Sequence, residues 1–216
     1  MKIIDLTYPI EEGMLTFNAH WHPSVSIEQL GKIDVEGRES RKIVFGTHTG
    51  THVDAPLHFI KNGQSIDQIP IEKMFGEITI IDFSYLSENS EITKDMLEGK
   101  KITAKMLFKF GWGKHWTQKN FYQGYPYFTK EAAEFLVSKN VELLSYDTPS
   151  PDDSRIKLGS ERDSEIHKIF LKNNIILVEY LANLEKIQEY DGWNISVNPL
   201  MIKGGDGSPA RVYLFK

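Results

Sequence analysis

The sequence predicts a fold in which strands outnumber helices and the two kinds of element intermix along the chain. Short stretches rich in β-branched, aromatic and other apolar residues recur, with turn residues between them. A few amphipathic stretches that begin at capping residues lie among them. Such intermixing is typical of an α/β or α+β fold rather than a pure β-sandwich. Because no Pro/Gly/Ser-rich linker interrupts the chain, residues 1–216 are expected to form one domain.

The strand predictions rest on local runs of apolar and β-branched residues that turn residues separate. The predicted strands are Lys42–Gly46, Glu77–Phe83, Lys105–Phe110, Leu143–Tyr146, Ile175–Val178 and Arg211–Phe215.

Three helices are predicted from capping residues and apolar spacing. Thr129 is expected to cap a helix that carries Glu131 in its first turn. Thr93 is expected to cap a short helix that runs through Leu97. A third helix is predicted over Ser160–Lys172, where apolar residues recur at helical spacing.

Composition excludes several classes of function. The net charge is −5 and the basic residues are scattered, so no surface suited to nucleic acid is expected. The chain has 0 cysteines, which excludes disulfides, thiolate metal sites and cysteine nucleophiles. No apolar run approaches the ~20 residues of a membrane span, and the start of the chain does not resemble a secretion signal. A cytoplasmic protein that acts on a small molecule, without a membrane partner, is therefore expected.

Three of the 7 histidines lie in one short segment, which is the most informative part of the chain. It reads His48-Thr-Gly-Thr-His52-Val-Asp54-Ala-Pro-Leu-His58. Divalent ions such as zinc bind imidazole nitrogen and carboxylate oxygen, and a catalytic site leaves a position open for water. His48, His52 and Asp54 are therefore predicted to bind a divalent metal.

The backbone of this segment is expected to curl around the ion rather than form a helix. Threonine on both sides of Gly50 disfavours helix, and the glycine permits a tight turn. His52 and Asp54 alternate, so they can share one face of an extended stretch. Pro56 then turns the chain and aims His58 back at the site. His58 is either a catalytic group or a hydrogen-bonding support of a ligand.

Other interpretations of the same residues stay open. His52 and Asp54 with the distant His167 could form the facial triad of an iron(II) oxygenase, which would leave His48 without a role. A metal-stabilised or ligand-binding domain without catalysis is a second alternative, although the open triad differs from a closed structural site. A serine hydrolase is not favoured, because the segment Gly205–Pro209 ends in proline where a Gly-x-Ser-x-Gly elbow has glycine, and it is predicted to be a turn.

The histidine-rich segment resembles the His-x-Gly-Thr-His-x-Asp-x-Pro-x-His signature of the metal-dependent cyclase-like hydrolases, which include bacterial kynurenine formamidases and isatin hydrolases. Every fixed position of that signature is matched. The likeness covers nearly the whole chain, and three further segments share it: Ile4–Ile10, Tyr146–Asp152 and Val178–Leu184.

The resemblance implies a second group of ligands late in the chain, which matches His167 and Glu179. Asp54 would then bridge two ions, one bound by His48 and His52 and the other by His167 and Glu179. The chemistry of the chain agrees, because Glu179 directly follows an apolar run, and a carboxylate in that place is costly unless it is paired or metal-bound.

The resemblance also implies a mixed β/β/α fold with a central barrel-like sheet and surrounding helices. The implied activity is metal-dependent hydrolysis of an amide C–N bond, in the manner of the arylformamidases of tryptophan catabolism. A lactone or a cyclic amide is the alternative substrate. The implied cofactor is one or two divalent ions per chain, zinc in preference to manganese. The implied assembly is a homodimer or homotetramer.

His58 is expected to carry a proton from metal-activated water to the leaving nitrogen. Phe17, His20 and Trp21 lie where members of the family carry residues that line the substrate pocket, so they are predicted to bind substrate. Trp112 and Trp116 are further pocket candidates. For all four aromatic residues, Phe17 and Trp21 included, core packing or a subunit contact is the alternative.

One segment departs from the family's pattern. Many members carry Arg-Thr-Gly after a central strand, whereas this chain has Lys109-Phe110-Gly111-Trp112 there. The departure weakens any inference about the identity of the substrate. His22 and His115 are expected to lie at the surface.

Overall fold

The computed structural model describes residues 1–216. Its strands are β1 Ile3–Asp5, β2 Ser26–Gly31, β3 Ser40–Val44, β4 His52–Asp54, β5 Phe75–Glu77, β6 Thr79–Asp82, β7 Glu91–Ile92, β8 Lys105–Lys109, β9 Tyr127–Phe128, β10 Leu143–Tyr146, β11 Ile176–Glu179, β12 Asn194–Pro199 and β13 Gly207–Phe215. Its α-helices are α1 Ile33–Glu36, α2 Lys94–Leu97, α3 Lys130–Ser138 and α4 Glu165–Lys172. Short 3-10 helices cover Pro56–His58, Ile66–Gln68, Ile71–Met74, Trp112–His115 and Leu184–Lys186.

One sheet of 9 strands organises the fold. Its order is β5-β12-β13-β4-β11-β10-β8-β6, and β1 pairs with β13 beside this path. Neighbouring strands from β6 to β11 run parallel, whereas β4, β13, β12 and β5 pair in antiparallel fashion. The sheet curls into a nearly closed barrel with few helices, which confirms the predicted mixed α/β class.

The central strands are buried on both faces, which explains why they read as continuous apolar runs. Successive residues of β11 show that its two faces pack against different apolar clusters. Val178 belongs to the apolar cluster that includes Trp193 and Val212, whereas Leu177 belongs to the cluster that includes α3, α4 and Tyr146. Since residues two apart share a face, the side chains that alternate with Val178 project towards the helices.

The six predicted strands are present, with ends displaced by a few residues. Thr129 caps α3, where its hydroxyl accepts a hydrogen bond from the N–H of Ala132 at 3.2 Å. Thr93 precedes α2 as predicted, although its side chain makes no capping hydrogen bond.

Two predicted boundaries are wrong. The helix expected from Ser160 begins at Glu165, because the carboxylate of Asp152 accepts hydrogen bonds from the backbone N–H of Ile166 and His167 and so fixes the start of α4. The segment Gly205–Pro209, expected to be a turn, enters β13 at Gly207 and pairs with β4. Its glycines were mistaken for turn residues, although one of them serves a close approach within the sheet.

No helix in the structure combines the length and the apolar character needed to cross a membrane.

Candidate metal centre

Strand β4 places the first group of polar side chains in the centre of the sheet. It lies between β11 and β13 and is buried throughout. Asp54 pairs with Leu177 and Gly207, and His52 pairs with Glu179. Because alternate residues share a face, His52, Asp54 and Glu179 all project towards the helices. Two strands that neighbour each other in the sheet, β4 and β11, thus supply three buried metal-binding groups at one place.

His48 and His52 both face the same oxygen of Asp54. His48 Nδ1 lies 2.7 Å and His52 Nε2 lies 3.2 Å from Asp54 Oδ1. The left-handed backbone of Gly50, with a φ of 58°, reverses the chain between the two histidines. Nδ1 of His52 donates to the carbonyl of Gly50 at 2.8 Å, which leaves Nε2 free to bind an ion. These positions agree with the predicted curl around the ion.

The other oxygen of Asp54 faces a second group. His167 Nε2 lies 3.5 Å from Asp54 Oδ2 and 3.3 Å from Glu179 Oε1. His167 Nδ1 hydrogen-bonds to the carboxylate of Asp152. Tyr146 donates its hydroxyl to Glu179 Oε1 at 2.7 Å. Asp54 therefore stands between two histidine groups with one oxygen turned to each, as the bridging arrangement requires.

The electrostatics of these groups suit a bound cation. Asp54 and Glu179 are 1% and 3% exposed, and histidines are their only ion-pair partners. Burial lowers the pKa of His48, but the adjacent carboxylates of Asp54 and Asp206 outweigh it and raise that pKa to about 10. Burial also opposes the charge of His167, whose pKa neighbouring carboxylates hold well above its usual value. Carboxylates buried without lysine or arginine are expensive, and a divalent ion would compensate them.

The donor set also suits such an ion. Two mostly buried sets, His48 with His52 and Asp54, and Asp54 with His167 and Glu179, offer ligand atoms that all lie within 4.8 Å of one another. A third set, His48 with His58 and Asp206, meets the same limit, but all three of its residues are only half-buried. Imidazole nitrogen and carboxylate oxygen are ligands of zinc and of similar transition metals. The residues present therefore fit a divalent metal at each group.

The family described as "Putative cyclase" matches residues 4–153. The chain belongs to this family. It is 29% identical over 217 residues to the kynurenine formamidase of Bacillus thuringiensis subsp. konkukian, which covers 98% of this chain and 96% of that protein. It is 28% identical over 219 residues to the kynurenine formamidase of Bacillus anthracis, which covers 99% and 97% respectively.

Solved structures of cyclase-fold hydrolases resemble this one. Isatin hydrolase A from Ralstonia solanacearum superposes with a TM-score of 0.87 at 26% identity, covering 99% of this chain and 91% of that one. A protein described as a predicted metal-dependent hydrolase from Bacillus stearothermophilus superposes with a TM-score of 0.77 at 26% identity, covering 99% and 97%. The cyclase fold expected from the resemblance is confirmed.

His58 follows the cyclase signature on a short 3-10 helix that begins at Pro56. Its ring lies 3.8 Å from the ring of His48, measured between centroids. Its Nδ1 lies 3.1 Å from Asp206 Oδ2. The turn at Pro56 thus directs His58 to the site as predicted. Asp206 was not predicted, because only the pairing of β13 with β4 brings this distant residue beside the histidines.

The predicted substrate-binding residues lie on one segment beside His48. His22 Nε2 hydrogen-bonds to the carbonyl of His48 at 3.0 Å, so His22 is half-buried and its predicted surface position is wrong. Phe17 packs edge-on against Tyr122 at 5.6 Å between centroids. His20 and Trp21 are exposed and pack against each other. This segment therefore brings Phe17 to the aromatic residues near the site and leaves His20 and Trp21 facing solvent.

An aromatic group that sequence reasoning missed surrounds the imidazoles. Phe59 packs against His167 at 4.9 Å, and Tyr180 packs against His52 at 5.1 Å, between centroids. Tyr180 follows Glu179 directly and has a φ of 58°, an uncommon conformation for a residue with a side chain. The chain turns sharply there, which folds the tyrosine ring back over the site. Trp116 continues the aromatic surface, edge-on against Tyr180.

The segment that departs from the family's pattern is anchored by a buried carboxylate. Asp147 accepts backbone hydrogen bonds from Phe110, Trp112 and Gly113 at 2.8, 2.7 and 3.3 Å. Burial raises the pKa of Asp147 to about 6, although these hydrogen bonds oppose the shift. Trp112 is 3% exposed and belongs to the core, as the packing alternative predicted. His115 is half-buried against the Trp112 ring at 4.1 Å, which differs from its predicted surface position.

Proposed function

We propose that this protein is a metal-dependent hydrolase that cleaves an amide C–N bond. The observation that carries the proposal is the shared carboxylate: Asp54 turns one oxygen to His48 and His52 and the other to His167, beside Glu179. The similarity to kynurenine formamidases over nearly the whole chain supports an amide substrate. The solved isatin hydrolase supports the same class of bond.

His48, His52 and Asp54 would hold one divalent ion, and Asp54, His167 and Glu179 would hold a second. Zinc is the proposed metal, because imidazole and carboxylate ligands suit it, and manganese is the alternative. A bound ion of this kind acidifies water towards a pKa of ~7 and accepts charge from a carbonyl oxygen.

The chain's own residues supply the proton transfer and orient the substrate. His58 donates Nδ1–H to Asp206, which leaves Nε2 to accept a proton and then deliver it to the leaving nitrogen. Phe59, Trp116 and Tyr180 offer aromatic surface to a planar substituent. The ring of Tyr122 packs edge-on against Tyr180 and extends this aromatic surface.

An aryl formamide such as N-formylkynurenine is the proposed substrate, which would place the protein in tryptophan catabolism in the cytoplasm. A cyclic aryl amide such as isatin is the second candidate. The similarity of the whole chain to isatin hydrolase A is the observation behind this second candidate. Phe17, His20 and Trp21 are proposed to contact the part of either substrate that extends from the reacting carbonyl.

The test measures metal content and hydrolysis on the same samples of wild type, His52→Ala and His115→Ala. His115 serves as a matched control, because it is a histidine that packs against Trp112 rather than in the metal centre. We expect stoichiometric zinc and hydrolysis of N-formylkynurenine or isatin in wild type and in the control, and loss of both in His52→Ala. Wild-type protein that binds no divalent metal after reconstitution would contradict the proposal. Wild-type protein that binds metal but hydrolyses no amide or lactone would show that the chain is a metal-binding protein rather than a hydrolase.

A further inference from the structure

Asp206 touches two of the site's histidines, and the proposed reaction involves it only as the acceptor for His58. Its Oδ2 atom lies 2.8 Å from His48 Nε2 and 3.1 Å from His58 Nδ1. Its Oδ1 atom accepts a hydrogen bond from the Thr47 hydroxyl at 2.9 Å. One carboxylate oxygen is thus shared by a proposed metal ligand and by the proposed proton shuttle.

The backbone around Asp206 is built for this close approach. The carbonyl of Asp206 accepts a hydrogen bond from the N–H of Ala55, which follows the proposed bridging residue. A Cβ atom on Gly207 would lie 2.6 Å from the Val53 carbonyl and 2.7 Å from His48 Cε1. Only glycine leaves room there for the His48 ring, so the register of β13 against β4 holds the carboxylate beside both imidazoles.

We propose that Asp206 is a positioning residue that fixes the tautomers of His48 and His58 at the same time. A neutral imidazole carries one N–H, and the acceptor that this N–H meets decides which nitrogen stays free. Both ring nitrogens of His48 meet carboxylates, Nδ1 that of Asp54 and Nε2 that of Asp206, so with an ion on Nδ1 the remaining Nε2–H would donate to Asp206. Nδ1–H of His58 donates to the same oxygen, which leaves Nε2 free for proton transfer. The proposal rests on the proposed metal-dependent function.

The second histidine group has the same construction. The carboxylate of Asp152 holds Nδ1 of His167, and Nε2 of His167 faces Asp54 and Glu179. A carboxylate that receives the outer N–H of a ligand histidine orients the ring and raises its basicity. Asp206 differs because it also holds His58, and it therefore couples the orientation of a ligand to that of the proton shuttle.

The geometry favours positioning by Asp206 over direct metal binding. His48 offers Nδ1 at 2.7 Å from Asp54 Oδ1, where the other two donors of its group converge. A ring that binds an ion through Nδ1 has only Nε2–H left for Asp206. The carboxylate side chain is also 39% exposed, whereas that of Asp54 is 1% exposed.

The test compares zinc-loaded wild type with Asp206→Asn, Asp206→Ala and Asp67→Asn. Asp67 is a matched control, because it holds the same loop through the N–H of Gly204 and touches neither histidine. Zinc stoichiometry, zinc affinity by chelator competition, kcat and KM are measured on each protein. Long-range proton–nitrogen NMR on the zinc-loaded proteins identifies which ring nitrogen of each neutral histidine carries the proton, and a His58→Gln variant assigns the His58 signal.

We expect both Asp206 variants to keep the wild-type number of zinc ions at saturation but to bind them about 10- to 100-fold more weakly. We expect kcat to fall with KM nearly unchanged, and the His58 signal to change from one Nδ1–H tautomer to a mixture. Asp67→Asn should match wild type in all four measurements. A single Nδ1–H tautomer with wild-type kcat in both Asp206 variants would overturn the proposal.

Loss of one whole zinc equivalent at saturating zinc would also overturn it, because Asp206 would then be a ligand. Failure of the proposed function would give a different set of results from failure of the Asp206 proposal. Wild-type protein would then neither bind zinc nor hydrolyse an amide, and its own His58 spectrum would still show whether Asp206 fixes the tautomer. A wild-type mixture of His58 tautomers would overturn the inference independently of activity.

Discussion

At the scale of single residues, each proposed ligand histidine has its outer nitrogen held by a defined acceptor. The carbonyl of Gly50 holds His52, the carboxylate of Asp206 faces His48, and the carboxylate of Asp152 holds His167. Such contacts orient each ring before any ion binds. The entropy lost in ordering these histidine rings is then lost during folding rather than on metal binding. This favours a high affinity for the metal ion.

Replacement of His58 by alanine tests its role as proton shuttle. We expect kcat to fall by about 10²- to 10⁴-fold, because general acid–base catalysis contributes that much. We expect metal content to stay near the wild-type value, because the two groups that share Asp54 take their ligand atoms from other residues. Metal analysis and steady-state kinetics on the same sample check this.

His20→Ala is a useful comparison for His58→Ala, because this exposed histidine packs only against Trp21 among the aromatic residues. Its proposed contact with the substrate predicts a raised KM and little change in kcat. Loss of metal from His58→Ala would show that His58 is a ligand or an essential support. Wild-type kcat in that variant would remove it from the reaction.

At the scale of secondary structure elements, helix α4 connects the second histidine group to the core. The carboxylate of Asp152 accepts hydrogen bonds from the backbone N–H of Ile166 and of His167 at 2.7 and 3.2 Å. The same carboxylate, which fixes the start of the helix, also holds the His167 side chain. Phe170 and Leu171 anchor the helix in the apolar cluster. The position of His167 therefore depends on one carboxylate and on the packing of one helix.

Replacement of Asp152 by serine separates its hydrogen bonds to the backbone of helix α4 from its hydrogen bond to the His167 ring. Serine can still accept a helix N–H, but it has no charge and does not reach the His167 ring. We expect the fold to persist and zinc binding to fall towards one ion per chain, because His48, His52 and Asp54 keep their own contacts. Circular dichroism and metal analysis of the variant check this. Two tightly bound ions in Asp152→Ser would show that Asp152 does not support the second site.

The sequence predicted those parts of the site that lie close together in the chain. Gly50 and Pro56 predicted how the backbone would present His52 and His58, and the structure has those turns. Asp206 could not be predicted, because its place depends on the antiparallel pairing of β13 with β4. Long-range strand pairing leaves no local pattern in the sequence.

The start of α4 and the aromatic surroundings escaped prediction for related reasons. Apolar spacing indicated a helix from Ser160, but a distant carboxylate at Asp152 decides where the helix begins. Phe59 and Tyr180 were not distinguished from core aromatics, because their role depends on which ring packs over which histidine. Periodicity cannot report such contacts.

At the scale of the whole molecule, the hairpin of β2 and β3 is the feature that the rest of the fold leaves without a partner. Its strands pair only with each other. Leu30, Ile43 and Val44 are 57%, 51% and 40% exposed, and the helix between the strands exposes Ile33 and Val35 at 63% and 74%. A two-stranded hairpin is marginally stable alone in water, so we propose that a second copy of the chain covers the face of the hairpin on which Ile43 lies opposite Ile27.

Replacement of Ile43 by glutamate tests the proposed homodimer. We expect the variant to be monomeric by light scattering and to keep the circular dichroism of wild type, because the hairpin contributes nothing to the main sheet. Tyr85→Glu is the matched control, since Tyr85 is 72% exposed at a site away from the hairpin. A wild-type monomer would contradict the proposal, and so would an Ile43→Glu dimer.

The charges of the metal centre also determine how stability depends on pH once metal is removed. The pKa of His48 is raised from 6.5 to about 10, so its contribution is complete below about pH 6.5 and is lost as pH rises through about 10. The pKa values of Asp54 and Asp206 are lowered, so their contribution is present above about pH 4 and is lost as pH falls further. Metal-free protein is therefore expected to be most stable between about pH 4 and 6.5.

Bound zinc should oppose the loss of stability that metal-free protein shows as pH rises above about 6.5. Ligand histidines must lose their protons to bind an ion, so the stabilisation by zinc grows as pH rises. We expect the melting temperature of chelator-treated protein to fall between about pH 6.5 and 10, while the difference between zinc-loaded and metal-free protein widens. His48→Gln should make the metal-free profile less steep but not flat, because the pKa of His167 is also raised, and His115→Gln should leave the profile unchanged. A metal-free profile that is the same in wild type and His48→Gln would show that His48 does not carry the dependence.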